Sequence, residues 1–88
     1  MRRFCSDVLE FLRQEYDDSY DFSIEYNSAL DPDKDTVKLV IKLSPSYTVK
    51  LDESSMFFVY SWYKVGEYIC ERNQYRWQKE LIDMIEGS

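Results

Sequence analysis

The sequence predicts an α+β domain: an N-terminal helix, a three-stranded antiparallel meander and two C-terminal helices, in the order α-β-β-β-α-α. Three observations carry that prediction. Residues 3–16 place apolar side chains every three or four positions, residues 21–51 alternate apolar with polar, and residues from 56 onward return to helical spacing in two stripes divided by a polar break. Helices that follow and precede a sheet with one apolar face belong on that face. Eighty-eight residues make one domain, 1–88, with room for a single modest core.

The first helix is expected at about 3–16, because Phe4, Val8, Phe11, Leu12 and Tyr16 follow the 3.6-residue period while Asp7, Glu10, Arg13 and Gln14 fall elsewhere. Phe22, Ile24 and Tyr26 then alternate with Ser23 and Glu25, the pattern of a half-buried strand. The turn "NSALDPDKD" leads into "TVKLVIKL", where Val37, Leu39, Ile41 and Leu43 point to one face and Lys38, Val40 and Lys42 to the other. "SPS" makes a short turn, and "YTVKL" repeats the alternation with Tyr47, Val49 and Leu51 inward. In "SSMFFVYSWYKVGEYICE" the residues Phe58, Trp62, Val65 and Ile69 fall at helical spacing, which favours a helix; the alternative is a fourth strand at about 56–63 followed by one long helix. Beyond "ERNQ", Trp77, Leu81, Met84 and Ile85 form a new stripe, supported by Arg76/Glu80 and Lys79/Asp83 pairs worth about 0.2–0.5 kcal/mol each.

Composition excludes several classes of function. A hydrophobic fraction of 44% and a charged fraction of 32% describe a chain that folds. No apolar run approaches a membrane span, and Asp7 interrupts the apolar stretch after Arg2 and Arg3 where a signal peptide needs an unbroken core, so a cytoplasmic protein without membrane contact is expected. Cys5 and Cys70, both placed on apolar helix faces, are expected to be buried reduced thiols. Enzymatic activity is not expected: the chain has no histidine for acid–base work, no base beside either cysteine, and two glycines where a phosphate loop needs more. No cofactor is implied. In "DPDKD", Asp31, Asp33 and Asp35 have the spacing that opens an EF-hand loop, but Thr36 stands where glycine is needed and Lys42 where a bidentate carboxylate belongs, so a turn rather than a metal site is expected.

The net charge of −6 is uneven. Residues 1–35 hold ten carboxylates against four cations, and residues 36–88 balance seven against seven. That end should attract basic partners and repel nucleic acid. Aromatic residues make up 17% of the chain, with eight tyrosines, more than so small a core can bury. Tyrosines at the surface among carboxylates suggest a protein-binding face, for which Glu15, Tyr16, Asp17, Asp18, Tyr20 and Asp21 are the first candidates and Tyr68 and Tyr75 the second. Tyr68, Arg72, Tyr75, Arg76 and Lys79, read as one helical face, also interleave bases with aromatics; they are expected to be a solvated face paired with nearby glutamates rather than a nucleic-acid site.

With "SYDFSIEYN", "DTVKLVIKL" and "YTVKLD" as the meander and "MFFVYSWYKVGEYICERNQYRWQKELIDMI" as aromatic-rich C-terminal helices, the acidic chain resembles the small phage anti-CRISPR proteins in layout over most of its length. In particular it resembles those that inhibit type II effector nucleases by occupying the positively charged site that reads the protospacer-adjacent motif. The resemblance implies an inhibitor in the host cytoplasm, monomeric or homodimeric, that mimics nucleic acid and binds a basic nucleic-acid-binding protein such as a CRISPR effector. It also implies acidic contacts in the turn between the second and third strands and in the turn between the last two helices. Those turns read "SPSY" and "CERNQY" here, so Tyr68 and Glu71 carry over and Arg72 departs from the pattern. The alternative function is a small intracellular adaptor that binds partners through tyrosine-rich helical surfaces.

Overall fold

The architecture is that of a computed structural model, which describes residues 2–16, 20–27, 30, 35–44 and 47–87. Helix α1 (Arg2–Glu15) leads into strands β1 (Asp21–Asn27), β2 (Thr36–Ser44) and β3 (Tyr47–Leu51), followed by helix α2 (Glu53–Val65), the short strands β4 (Tyr68–Ile69) and β5 (Gln74–Tyr75) flanking a 3-10 turn (Glu71–Asn73), and helix α3 (Arg76–Glu86). The expected helix–meander–helices order is present. Residues 56–63 are helical, so the four-stranded alternative is not what forms. Asp17, Asp18, Asp31 and Asp33 lie outside the described residues, as do the side chains of Leu43 and Tyr47.

The meander has the order β1-β2-β3, antiparallel throughout, with a bulge between Lys42 and Ser44. Period-two alternation fixes which side each residue takes. Phe22 lies opposite Ile41, Ile24 opposite Leu39 and Tyr26 opposite Val37, while Leu39 and Ile41 face Leu51 and Val49 across the other seam. Leu39 and Ile41 are fully buried, and Lys38, Lys42 and Lys50 are exposed on the other face. On that open face Asp21 stands opposite Lys42 and Glu25 opposite Lys38, so opposite charges meet across the strands. Lys38 also reaches Glu53 at 3.6 Å.

The helices cover the apolar face. α1 packs on β1, α2 on β2, and α3 against α2 and β3. The buried stripe of α1 is Phe4, Val8, Phe11 and Leu12, as its periodicity requires. Phe4 sits at the junction of all three helices, its ring centroid 5.1 Å from those of Tyr60 and Tyr63 and 6.4 Å from that of Trp77. α3 buries Trp77, Leu81, Ile82 and Ile85, with Met84 half-buried, and carries the Arg76–Glu80 and Lys79–Asp83 pairs, both at 2.9 Å.

Three expectations are corrected. α2 turns Met56, Val59, Tyr60 and Tyr63 toward the core, with Trp62 also packed against it, whereas Phe58 and Val65 are 43% and 66% exposed and Ile69 lies in β4. The helix is apolar on both sides, so periodicity offers two stripes half a turn apart, and the aromatic ring of Phe4 arriving from α1 decides between them. The segment between the last helices is a hairpin: Tyr68 pairs with Tyr75, Ile69 with Gln74, and the Arg76 N–H donates to the Glu67 carbonyl at 2.8 Å. Its loop uses positive φ at Arg72 (65°) and Asn73 (53°). Cys70 therefore lies exposed in a turn rather than on a buried helix face, whereas Cys5 is half-buried on α1 and burial pushes its thiol pKa up.

α2 has defined ends. Asp52 caps its start, accepting the Ser55 N–H at 2.9 Å, and Gly66 ends it in the left-handed conformation (φ 70°), its N–H bonded to the Trp62 carbonyl. No helix among the described residues is long and apolar enough to cross a membrane.

Candidate functional site

A concavity of about 390 Å³ lies between α1 and the end of α2, Tyr75 of the hairpin and the start of α3. Asp7, Glu10 and Gln14 recur at three- and four-residue intervals, so they line one margin of the α1 apolar stripe and form the first wall. Tyr63 and Gly66, at the end of α2, with Tyr75 and Gln78, at the start of α3, form the second wall. Phe11 and Trp77, both buried, lie beneath with their rings 5.5 Å apart and nearly perpendicular.

The site is held by contacts between distant parts of the chain. The Tyr63 hydroxyl donates to Asp7 Oδ2 at 2.5 Å, joining α2 to α1 across 56 residues. That bond, with a contribution from burial, holds the Tyr63 pKa above the ordinary tyrosine value, because ionised phenolate beside the carboxylate is disfavoured. Gln78 Oε1 accepts the Tyr75 N–H at 2.9 Å and so fixes the start of α3. A carboxylate has about four acceptor positions, so Asp7 retains capacity for a further donor.

Two carboxylates, two amides and four aromatic rings line this cleft, and no lysine or arginine does among the described residues. An arginine guanidinium suits such a place: its planar fork donates to carboxylates, and its faces stack on aromatic rings. No group of three or more potential metal ligands occurs among the described residues.

The residues expected from sequence divide into two sets. Tyr75 is in the cleft wall, and Tyr68 packs edge-on against it with centroids 5.3 Å apart; the Tyr68 hydroxyl donates to Asn73 Oδ1 at 3.0 Å. Glu71 is exposed in the same hairpin, so the second candidate set, Tyr68, Glu71 and Tyr75, is brought together. Of the first set, Glu15 and Asp21 are exposed, while Tyr16 and Tyr20 are half-buried and pack with Phe22, the Tyr16 ring lying 5.2 Å from Tyr20 and 5.9 Å from Phe22. Burial raises the Tyr16 pKa, and its hydroxyl has no partner among the described residues. Asp17 and Asp18 fall outside the description.

The basic–aromatic set is not one helical face. Tyr68 and Tyr75 are on strands, Arg72 is in the loop, and only Arg76 and Lys79 are in α3. Arg76 is engaged on both sides, stacked 4.6 Å over Trp62 and paired with Glu80. Asp7, Glu10, Tyr63 and Gln78 were not singled out by sequence. The spacing of Asp7, Glu10 and Gln14 along one margin of an amphipathic helix was the available signal; the opposing wall had none.

Comparison with known proteins finds no matching family, no matching characterised protein and no matching solved structure.

Proposed function

We propose that this chain is a small acidic binding protein that occupies the basic, nucleic-acid-contacting surface of another protein, with the α1–hairpin cleft receiving an arginine of that surface. The observation that carries the reading is the pair of carboxylates, Asp7 and Glu10, lining a cleft with the Phe11 and Trp77 rings, where no cation lines it among the described residues. A surface built to hold phosphates presents arginines and lysines, and an array of carboxylates competes for them without imitating any base sequence. The reading assigns binding rather than catalysis, and the anti-CRISPR resemblance makes a guide-loaded type II effector nuclease the first partner to test.

Competition between this protein and target DNA on such an effector tests it. Displacement of DNA is expected, weakening as salt rises, and Asp7→Asn with Glu10→Gln should weaken it about tenfold or more. Neutralising Glu15 and Asp21 together with Asp17 and Asp18, or changing Tyr68 and Glu71 to alanine, decides which further face takes part. Simultaneous binding of DNA and this protein to the effector overturns mimicry. A second reading, an adaptor with apolar contacts, draws on the exposure of Phe57, Phe58 and Val65; its binding would be nearly insensitive to salt.

A further inference from the structure

The β4–β5 hairpin has two faces, and the one bearing Tyr75 borders the cleft. Tyr68 stands opposite Tyr75 and Ile69 opposite Gln74, so alternation puts Ile69 and Gln74 together on the other face. There a smaller concavity of about 150 Å³ lies between the hairpin and α3, lined by Ile69, Glu71, Arg72, Gln74, Lys79 and Asp83. Two of these residues are placed as packing alone would not place them. Gln74 is 9% exposed, the one polar residue of the buried set among the described residues, and its side-chain amide has no hydrogen-bond partner there. Unlike the Tyr16 hydroxyl, that amide is not sealed off; it is open to the concavity it lines. Arg72 holds a φ of 65°, a conformation that suits glycine and strains any side chain, and its guanidinium makes no ion pair among the described residues. Strain and an unmet polar group in one place are what a ligand site retains at the expense of the fold.

The charges define the ligand. Lys79 and Asp83 hold each other at 2.9 Å, which leaves one cation, Arg72, one anion, Glu71, and an amide that can both donate and accept. A simple anion would meet Arg72 but also Glu71 and Asp83, and a simple cation would meet Glu71 but also Arg72 and Lys79. A molecule carrying both signs a few bonds apart meets each with its opposite. We infer that this concavity binds a free α-amino acid with a small aliphatic side chain: Arg72 and Lys79 toward its carboxylate, Glu71 toward its ammonium, the Gln74 amide bonded to either, and Ile69 against the aliphatic part. A volume of about 150 Å³ is that of about five waters and falls below the roughly 300 Å³ at which pockets for drug-sized ligands begin, which suits a molecule of this size. The concavity and the cleft lie on opposite faces of the hairpin; the inference goes beyond the proposed function and does not depend on it.

Titration of the isotope-labelled full chain with L-valine, followed by NMR, tests the site. Saturable shifts are expected at Arg72, Gln74 and Lys79, the Gln74 side-chain amide included. Isovalerate, which lacks the ammonium, and isobutylamine, which lacks the carboxylate, should each bind about tenfold or more weakly than valine. Gln74→Met and Arg72→Gly should each weaken valine binding about tenfold or more yet melt no lower than wild type, because the first removes an unmet amide and the second suits the left-handed backbone. Absence of saturable shifts with valine at tens of millimolar, binding of isovalerate or isobutylamine as tight as that of valine, or variants that bind valine as wild type does, overturns the proposal.

Discussion

Helices α1 and α2 are nearly equal in length and both lie on the sheet, yet they divide their apolar residues differently. α1 gathers Phe4, Val8, Phe11 and Leu12 on its inner side and presents Arg2, Arg3, Ser6, Glu10 and Arg13 to solvent. α2 buries Met56 and Val59 and keeps Phe57, Phe58 and Val65 outside as well. Packing a core accounts for the apolar residues of α1 except Leu9, which is half-buried outside the core. In α2 it accounts for Met56, Val59, Tyr60, Trp62 and Tyr63 and leaves Phe57, Phe58 and Val65 exposed.

The contrast makes its strongest prediction at the inner face of α1. Phe4→Ala should destabilise the chain by about 3–5 kcal/mol, since the ring is 1% exposed and its loss leaves a cavity among Tyr60, Tyr63 and Trp77. Urea unfolding of the purified variant measures it, and a cost below 1 kcal/mol would break the view that α1 is a core helix. Next in size is the end of α2. A methyl group on Gly66 meets nothing within 4 Å, so Gly66→Ala should cost about 1–2 kcal/mol from the left-handed backbone alone. A larger loss of melting temperature than that implies would show the hairpin to be distorted as well.

A smaller effect concerns how the two helices are joined. The Asp7 bond raises the Tyr63 pKa above about 10, and the Asp35 bond does the same for Tyr26. Folding therefore favours the protonated phenols: stability is at its full value below the unfolded tyrosine pKa and falls as pH rises past it. Unfolding midpoints from about pH 8 to about pH 11 should show this fall, and Tyr63→Phe should reduce it. The smallest effect is expected on the outer side of α2, where Phe58→Ser should cost about 1 kcal/mol, because the ring is only partly covered. A large loss there would place Phe58 in the core and erase the difference between the helices.

The elements that could be read from sequence are those whose pattern has one solution. In β2, alternation of Val37, Leu39 and Ile41 with lysines leaves a single register, and in α1 one stripe is apolar and the other charged. α2 offered two stripes, and only its tertiary neighbours selected the inner one. The hairpin strands are two residues each, too short for a period to show, and their loop relies on Arg72 and Asn73 in a conformation that glycine would have signalled. The cleft was half legible: Tyr75 was named as a surface tyrosine, while Asp7 and Tyr63 become neighbours only through the packing of α1 on α2.

The Asp7–Tyr63 contact and the Phe4 and Phe11 ring contacts also govern how the chain is made. Every strand pair joins neighbours in sequence, and α2 and α3 are joined by the hairpin, so most of the molecule can form locally. The aromatic partners of α1 are exceptions. Phe4 and Phe11 leave the ribosome early and Trp77 late, and at synthesis rates of about 5–20 residues per second the interval is roughly 3–15 seconds. Until Tyr60, Tyr63 and Trp77 are made, the nascent helix lacks the rings that pack on Phe4 and Phe11 in the folded chain.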